Sequence, residues 1–216
     1  MKQIAIIVVL CFMFEGLANG QKQVPAVPEA VAVQVPVSYG LVVDNSGSYR
    51  TLLEKVIKIA SGIVDENKSG DEAFLVTFVD TPKIVLRQDI TESKDELRDA
   101  AENMFIEGGL TSIVDAVKSS ADYLSQNAKN DTDRLKALIL ITDGDERKSS
   151  AHIDDVLKAL KAANIKVFVI AISDDKVYPK LIDRLCKETG GIKYEPKTRD
   201  EITMAIKSLS AAIRVK

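Results

Sequence analysis

With 216 residues and a net charge of −3, the chain is sized for one domain around a single sizeable core. Its Lys and Arg residues are spread out with no basic block, which argues against nucleic-acid binding. Of the two cysteines, Cys11 lies in the leader described next, so an internal disulfide is excluded, and Cys186, between Leu185 and Lys187 in a helical pattern, reads as a buried structural thiol.

Lys2 supplies a positive start, Ile4 to Phe14 form an apolar run, and Ala18-Asn19-Gly20 places small residues where a signal peptidase cuts. This layout predicts a secretory signal over residues 1–20, cleaved after Gly20. The expected location is then secreted, periplasmic or extracellular, with no membrane insertion once the signal is gone. An uncleaved anchor is the alternative, but Glu15 closes the run below the ~18 apolar residues that a spanning helix needs. Lipidation at Cys11 is disfavoured, because Val9-Leu10 stands where a small residue is expected. Residues 21–34 are rich in Val, Ala and Pro, and Pro25 and Pro28 discourage regular structure, so they read as a linker or extended lead-in. The domain itself is assigned to residues 35–216.

Val37 to Val43 is an apolar run suited to a buried strand. Leu52, Leu53, Val56, Ile57, Ala60, Ile63 and Val64 then recur at helical spacing. Ala73 to Val79 reads as a second strand, Asp80-Thr81-Pro82 as a turn and Ile84 to Leu86 as a third strand. So short a connection implies an antiparallel hairpin at a sheet edge. Helices are expected over Lys94 to Met104 and from Ser112, where Ile113, Val114, Val117, Ala121 and Leu124 share a face. Ala137 to Ile141 and Val167 to Ile172 are almost purely apolar, as in the centre of a parallel sheet covered on both sides. Between them, Ile153, Val156, Leu157 and Leu160 mark a helix that Asn164 can end. A helix over Val177 to Lys187 stops at Gly190-Gly191, and a short strand covers Ile192 to Tyr194. The last helix carries Ile202, Ile206, Leu209 and Ile213 on one face, with Asp200 and Glu201 suiting the dipole of its first turn. Strands alternating with helices predict an α/β fold: a doubly wound, mostly parallel sheet with one antiparallel edge strand and helices on both faces, Rossmann-like.

In such sheets ligands collect at the carboxyl ends of the strands. The first strand runs into Asp44-Asn45-Ser46-Gly47-Ser48, and the central strand into Thr142-Asp143-Gly144-Asp145. Between them, Gly108-Gly109-Leu110-Thr111-Ser112 opens a helix. Here the sequence resembles the von Willebrand factor type A domain, whose metal-ion-dependent adhesion site uses Asp-x-Ser-x-Ser, a loop Thr and an Asp after a later strand. Asp44, Ser46, Ser48, Thr111 and Asp143 fill the five positions. The likeness spans about Val35 to Ile213, and although Asp-x-Ser-x-Ser alone is a weak string, three elements in order at strand ends are specific.

The resemblance implies a divalent cation, Mg²⁺ with Mn²⁺ or Ca²⁺ as alternatives, held directly by Ser46, Ser48 and Thr111. Asp44 and Asp143 would act through hydrogen bonds and bridging water. Neutral hydroxyls quench little of the ion's charge, so an open position would attract a Glu or Asp of a protein partner. Taken singly, Ser48 could merely cap a helix and Asp44 merely stabilise a turn. Asp145 and Glu146 read as a solvated surface pair near the rim, and Tyr49 or Arg50 as a partner contact.

Enzymatic readings fit less well. A Mg-dependent phosphatase of the haloacid dehalogenase type needs a second carboxylate where Ser46 stands. A serine hydrolase built on Ser46, Asp143 and His152 lacks the Gly-x-Ser-x-Gly elbow, and His152 reads as a helix-start residue. No glycine-rich phosphate loop is present. The remaining alternative is a structural subunit of a cell-envelope or extracellular assembly, in which the metal only stabilises the fold.

Overall fold

The computed structural model describes residues 35–215, so the expected signal (1–20) and lead-in (21–34) lie outside the described residues. Strand β1, Val37–Asp44, is buried at every position. It is flanked by β2, Glu72–Phe78, and β4, Leu135–Thr142, both parallel to it. The sheet has the order β3-β2-β1-β4-β5-β6, with β3 at Ile84–Thr91, β5 at Ile165–Ala171 and β6 at Lys193–Tyr194. Among the described strands only the β2–β3 pairing is antiparallel, as the short hairpin connection predicts.

Each central strand is apolar throughout because both of its faces are covered. Leu41, Val43, Ile139 and Ile141 pack on one side, against helices α1 (Leu53–Asp65), α2 (Lys94–Glu102) and α6 (Arg199–Ala212). Their neighbours Val42, Leu138 and Leu140 face α3 (Ile113–Asn127), α4 (Ile153–Ala162) and α5 (Pro179–Thr189). This period-two division follows from strand geometry, which points successive side chains to opposite faces. Each such aliphatic side chain gains roughly 1.5–3 kcal/mol from burial. Cys186 lies in the second core, where burial pushes its thiol up to about 12, as a structural cysteine requires.

Helix ends follow local chemistry. Asn164, just past α4, adopts φ 52°, a left-handed conformation that Asn tolerates. Thr198 and Glu201 close a capping box around the first turn of α6. Strand β3 runs on to Thr91, well past the expected Leu86. Its last part is polar, with Arg87, Gln88 and Asp89, and its pairing with β2 shifts register twice. An edge strand that is half-buried and bulged shows no clean apolar run. Among the described residues no helix is long and apolar enough to cross a membrane.

Candidate metal centre

β1 and β4 are neighbours at the point where the strand order reverses, since β1 leads outward to β2 and β4 leads the other way to β5. The diverging connections open a crevice at the strands' carboxyl ends. Both strands meet it with the same turn. Asp44, the last residue of β1, accepts the N–H of Ser46 at 3.0 Å. Asp143, directly after β4, accepts the N–H of Asp145 at 2.9 Å. In each, a carboxylate stands in for a backbone acceptor and turns the chain off the sheet.

Thr142 joins the two turns. Its hydroxyl accepts the Gly144 N–H at 3.1 Å and donates to Asp44 at 3.0 Å. Gly144 has φ +84°, and a Cβ there would lie 2.3 Å from the Tyr178 carbonyl oxygen, so no other residue fits without displacing backbone. The Tyr178 N–H in turn donates to the Asp143 carbonyl at 2.7 Å.

The hydroxyls of Ser46 and Ser48 lie 3.1 Å apart. Ser46 is buried and Ser48 is exposed, so the cluster opens to solvent on the Ser48 side. The Ser48 hydroxyl also lies beside Asp143, close enough to favour its charged carboxylate. Asp44, Ser46, Ser48 and Asp143 therefore form one connected group.

Thr111 is placed by its backbone. The Glu107 N–H donates to the Asn45 carbonyl at 3.1 Å and the Asn45 side chain donates to the Phe105 carbonyl at 3.0 Å, which seats this loop on the β1 turn. The Thr111 carbonyl accepts the N–H groups of Arg147 and Lys148 at 2.9 and 3.1 Å, which joins it to the loop after β4. Among the described residues no hydrogen bond links the Thr111 hydroxyl to the other four site residues.

Three roles differ from expectation or were not foreseen. Glu146 is not a solvated surface residue: its carboxylate accepts from the N–H groups of Val114, Lys148 and Ser149 and from the Ser149 hydroxyl, at 2.8 to 3.0 Å. It thereby caps the otherwise unsatisfied first turn of α3. Asp145 is half-buried as well, its carboxylate paired with the exposed Arg147 at 2.5 Å. Tyr49 is buried, and its hydroxyl donates to the Ile172 carbonyl at 2.9 Å, so it anchors the β1 turn and is not available to a partner. Arg50 is exposed, and His152 is the residue before α4 and is itself exposed, as its reading as a helix-start histidine implies. Thr142 gave no signal beyond its place beside Asp143.

Burial pushes the Asp44 carboxyl up to about 7, and the Asp143 charge adds to this, while hydrogen bonds from Ser46 and Thr142 oppose it. Asp143 is raised too, by burial first, with the Asp145 N–H and the Ser48 hydroxyl pulling the other way. No cationic side chain is among the main influences on either carboxyl. Two buried carboxylates that, among the described residues, hydrogen-bond no cationic side chain, together with two adjoining hydroxyls, make an oxygen-only donor set. That set fits a hard divalent cation, which would provide the missing charge. Among the described residues no three His, Cys, Asp or Glu side chains converge, so a metal in this chain would rely on hydroxyl oxygens.

The model of the von Willebrand factor type A domain matches residues 40–207. No curated protein matches the chain. Among solved structures, the conserved hypothetical protein BatB from Bacteroides thetaiotaomicron is similar, with a TM-score of 0.65 at 20% identity, over 82% of this chain and 97% of that one. An aerotolerance-related membrane protein from Bacteroides fragilis gives a TM-score of 0.62 at 20% identity, over 82% and 98%. A von Willebrand factor type A protein from Catenulispora acidiphila gives 0.69 at 16% identity, over 83% and 43%. At these identities the likenesses concern the fold.

Proposed function

The chain belongs to the von Willebrand factor type A family, and from that premise we propose that it is a binding module, not an enzyme, that captures an acidic group of a protein partner through a divalent cation. The observation that carries this reading is the connected group of Asp44, Ser46, Ser48 and Asp143 in the β1–β4 crevice, with buried carboxyls behind and an exposed hydroxyl in front. When bound, Mg²⁺, or Mn²⁺ or Ca²⁺ in its place, supplies a coordination position open to an anionic oxygen. Ser46, Ser48 and Thr111 offer neutral oxygens to such an ion and leave most of its charge available to the partner. Asp44 and Asp143 orient those hydroxyls and balance the charge from behind. Thr142 keeps Asp44 in place, and Glu146 keeps the Thr111 and Asp143 loops together. On this reading the secretory signal expected over residues 1–20 would direct the activity outside the cytoplasm.

The exposure of Ser48 favours capture over a metal that merely stabilises the fold. Two readouts on chelator-treated protein separate these readings: the melting temperature on adding Mg²⁺, and retention on immobilised peptides that each carry one Asp or Glu. A capture module shows both a melting shift and Mg²⁺-dependent retention. A purely stabilising metal shows the melting shift alone, and neither effect would contradict the metal site itself.

A further inference from the structure

Seven large apolar side chains are exposed among the described residues, and three of them, Phe105, Leu110 and Tyr178, stand on the loops that frame the candidate metal centre. Of the three, Tyr178 lines a groove of about 410 Å³ between the Gly144–Glu146 loop and the starts of α4 and α5. Ile153, Leu181 and Tyr178 give it mainly apolar walls, and Lys180 and Arg184 stand on its rim. The groove adjoins the centre directly, because Gly144 follows Asp143 and the Tyr178 backbone bonds the Asp143 carbonyl.

The charges around it are unequal in availability. Arg184 is engaged by Asp154 and Glu188, Asp145 by Arg147, and Glu146 is turned into four hydrogen bonds. Lys176 lies over the Tyr178 ring, 5.0 Å from its centroid. Lys180 is exposed and, among the described residues, forms no ion pair. An apolar slot with an available cation at its rim, beside a site suited to a carboxylate, complements a segment that is acidic and apolar at adjacent positions.

We propose that this groove is the second half of the recognition surface, taking an aliphatic side chain immediately next to the acidic residue that the metal centre captures. The partner is thus a protein segment of net negative charge carrying an Asp or Glu beside a Leu-, Ile-, Val- or Met-like residue. This inference rests on the capture reading above and deepens it, because the metal would supply the anchor and the groove the selectivity.

The test uses the chain from Gln21 onward and immobilised peptides of the form Gly-Gly-Asp-X-Gly-Gly and Gly-Gly-X-Asp-Gly-Gly, with X varied, in Mg²⁺ and in chelator. Calorimetric Mg²⁺ binding is measured on the same preparations. The expected result is Mg²⁺-dependent retention that is roughly tenfold or more stronger for aliphatic X than for Gly or Ser, as burial of one such side chain implies. Leu181→Ser should flatten this preference. Lys180→Glu, a surface change that leaves the fold alone, should weaken retention of every acidic peptide while leaving Mg²⁺ binding unchanged. Mg²⁺-dependent retention indifferent to X overturns the groove proposal and leaves the capture reading standing, whereas no retention of any acidic peptide while Mg²⁺ still binds overturns the capture reading as well and leaves only the metal site. Failure of Mg²⁺ binding itself overturns the capture reading. Self-association of the chain abolished by Leu181→Ser would show a second copy in the groove and also overturn the proposal.

Discussion

Glu146 accepts the backbone N–H of Val114 at 3.0 Å, so a residue of the loop after β4 caps the helix that follows Thr111. Asp115, from that helix, returns the link by accepting the N–H groups of Ser150 and Ala151 at 2.8 to 3.1 Å. The loops carrying Asp143 and Thr111 are therefore one mechanical unit, although they are distant in sequence.

Glu146→Ala removes the acceptor for four donors, one of them a helix-capping contact. Its expected cost is about 1–3 kcal/mol of stability, with weaker Mg²⁺ binding because Thr111 is no longer held against the Asp143 loop. Asp145→Ala, which loses one pair with an exposed arginine, should change stability by roughly 0–1 kcal/mol. Chemical denaturation and calorimetry on both variants check this, and equal effects would show that the Glu146 contacts contribute nothing particular.

Asp44 makes the metal-free chain sensitive to pH. Its folded pKa is raised to about 7 from the usual carboxylate value near 4, so the folded state holds the proton more tightly than the unfolded one. This contribution to stability is fully present below about pH 4 and is lost as pH rises through about 7. In chelator, denaturation midpoints should therefore fall between pH 5 and pH 8, by an amount on the order of a few kcal/mol from this group. Asp44→Asn should flatten that slope, and an unchanged slope would show that Asp44 is not the responsible group.

Gly144 and Gly108 both adopt positive φ but differ in surroundings. A Cβ on Gly144 meets the Tyr178 carbonyl at 2.3 Å, whereas one on Gly108 meets nothing within 4 Å. Gly108→Ala should cost about 1 kcal/mol, the conformational penalty alone. Gly144→Ala should cost several times more, on the order of 3 kcal/mol or above, because backbone must move as well. Comparable melting temperatures for the two variants would contradict the tight approach of Tyr178 to the Asp143 turn.

The legible part of the fold was whatever burial writes as continuous pattern. β1, β4 and β5 are apolar runs because both faces are covered, and each helix shows its core stripe. The polar end of β3 was invisible, because at a bulged edge the backbone pairing persists while the side-chain alternation does not. The apolar runs pointed to the segments at the carboxyl ends of adjacent strands, the family resemblance singled out Asp44, Ser46, Ser48 and Asp143 within them, and the structure brings these four together. Their supports could not be picked out. Thr142 reaches Asp44 across 98 positions, Tyr49 reaches Ile172 across 123, and Glu146 reaches Val114 across 32. Such contacts are set by strand order and loop packing, and no local spacing records them.

The most direct test of the metal centre is calorimetric titration of Mg²⁺ and Mn²⁺ into the chelator-treated chain from Gln21 onward, wild type beside Asp143→Ala. Saturable binding at one site in the wild type, lost in a variant that still melts cooperatively, is the predicted result. Equal binding in both proteins, or none in the wild type, would contradict the assignment of Asp44, Ser46, Ser48, Thr111 and Asp143 as a cation site.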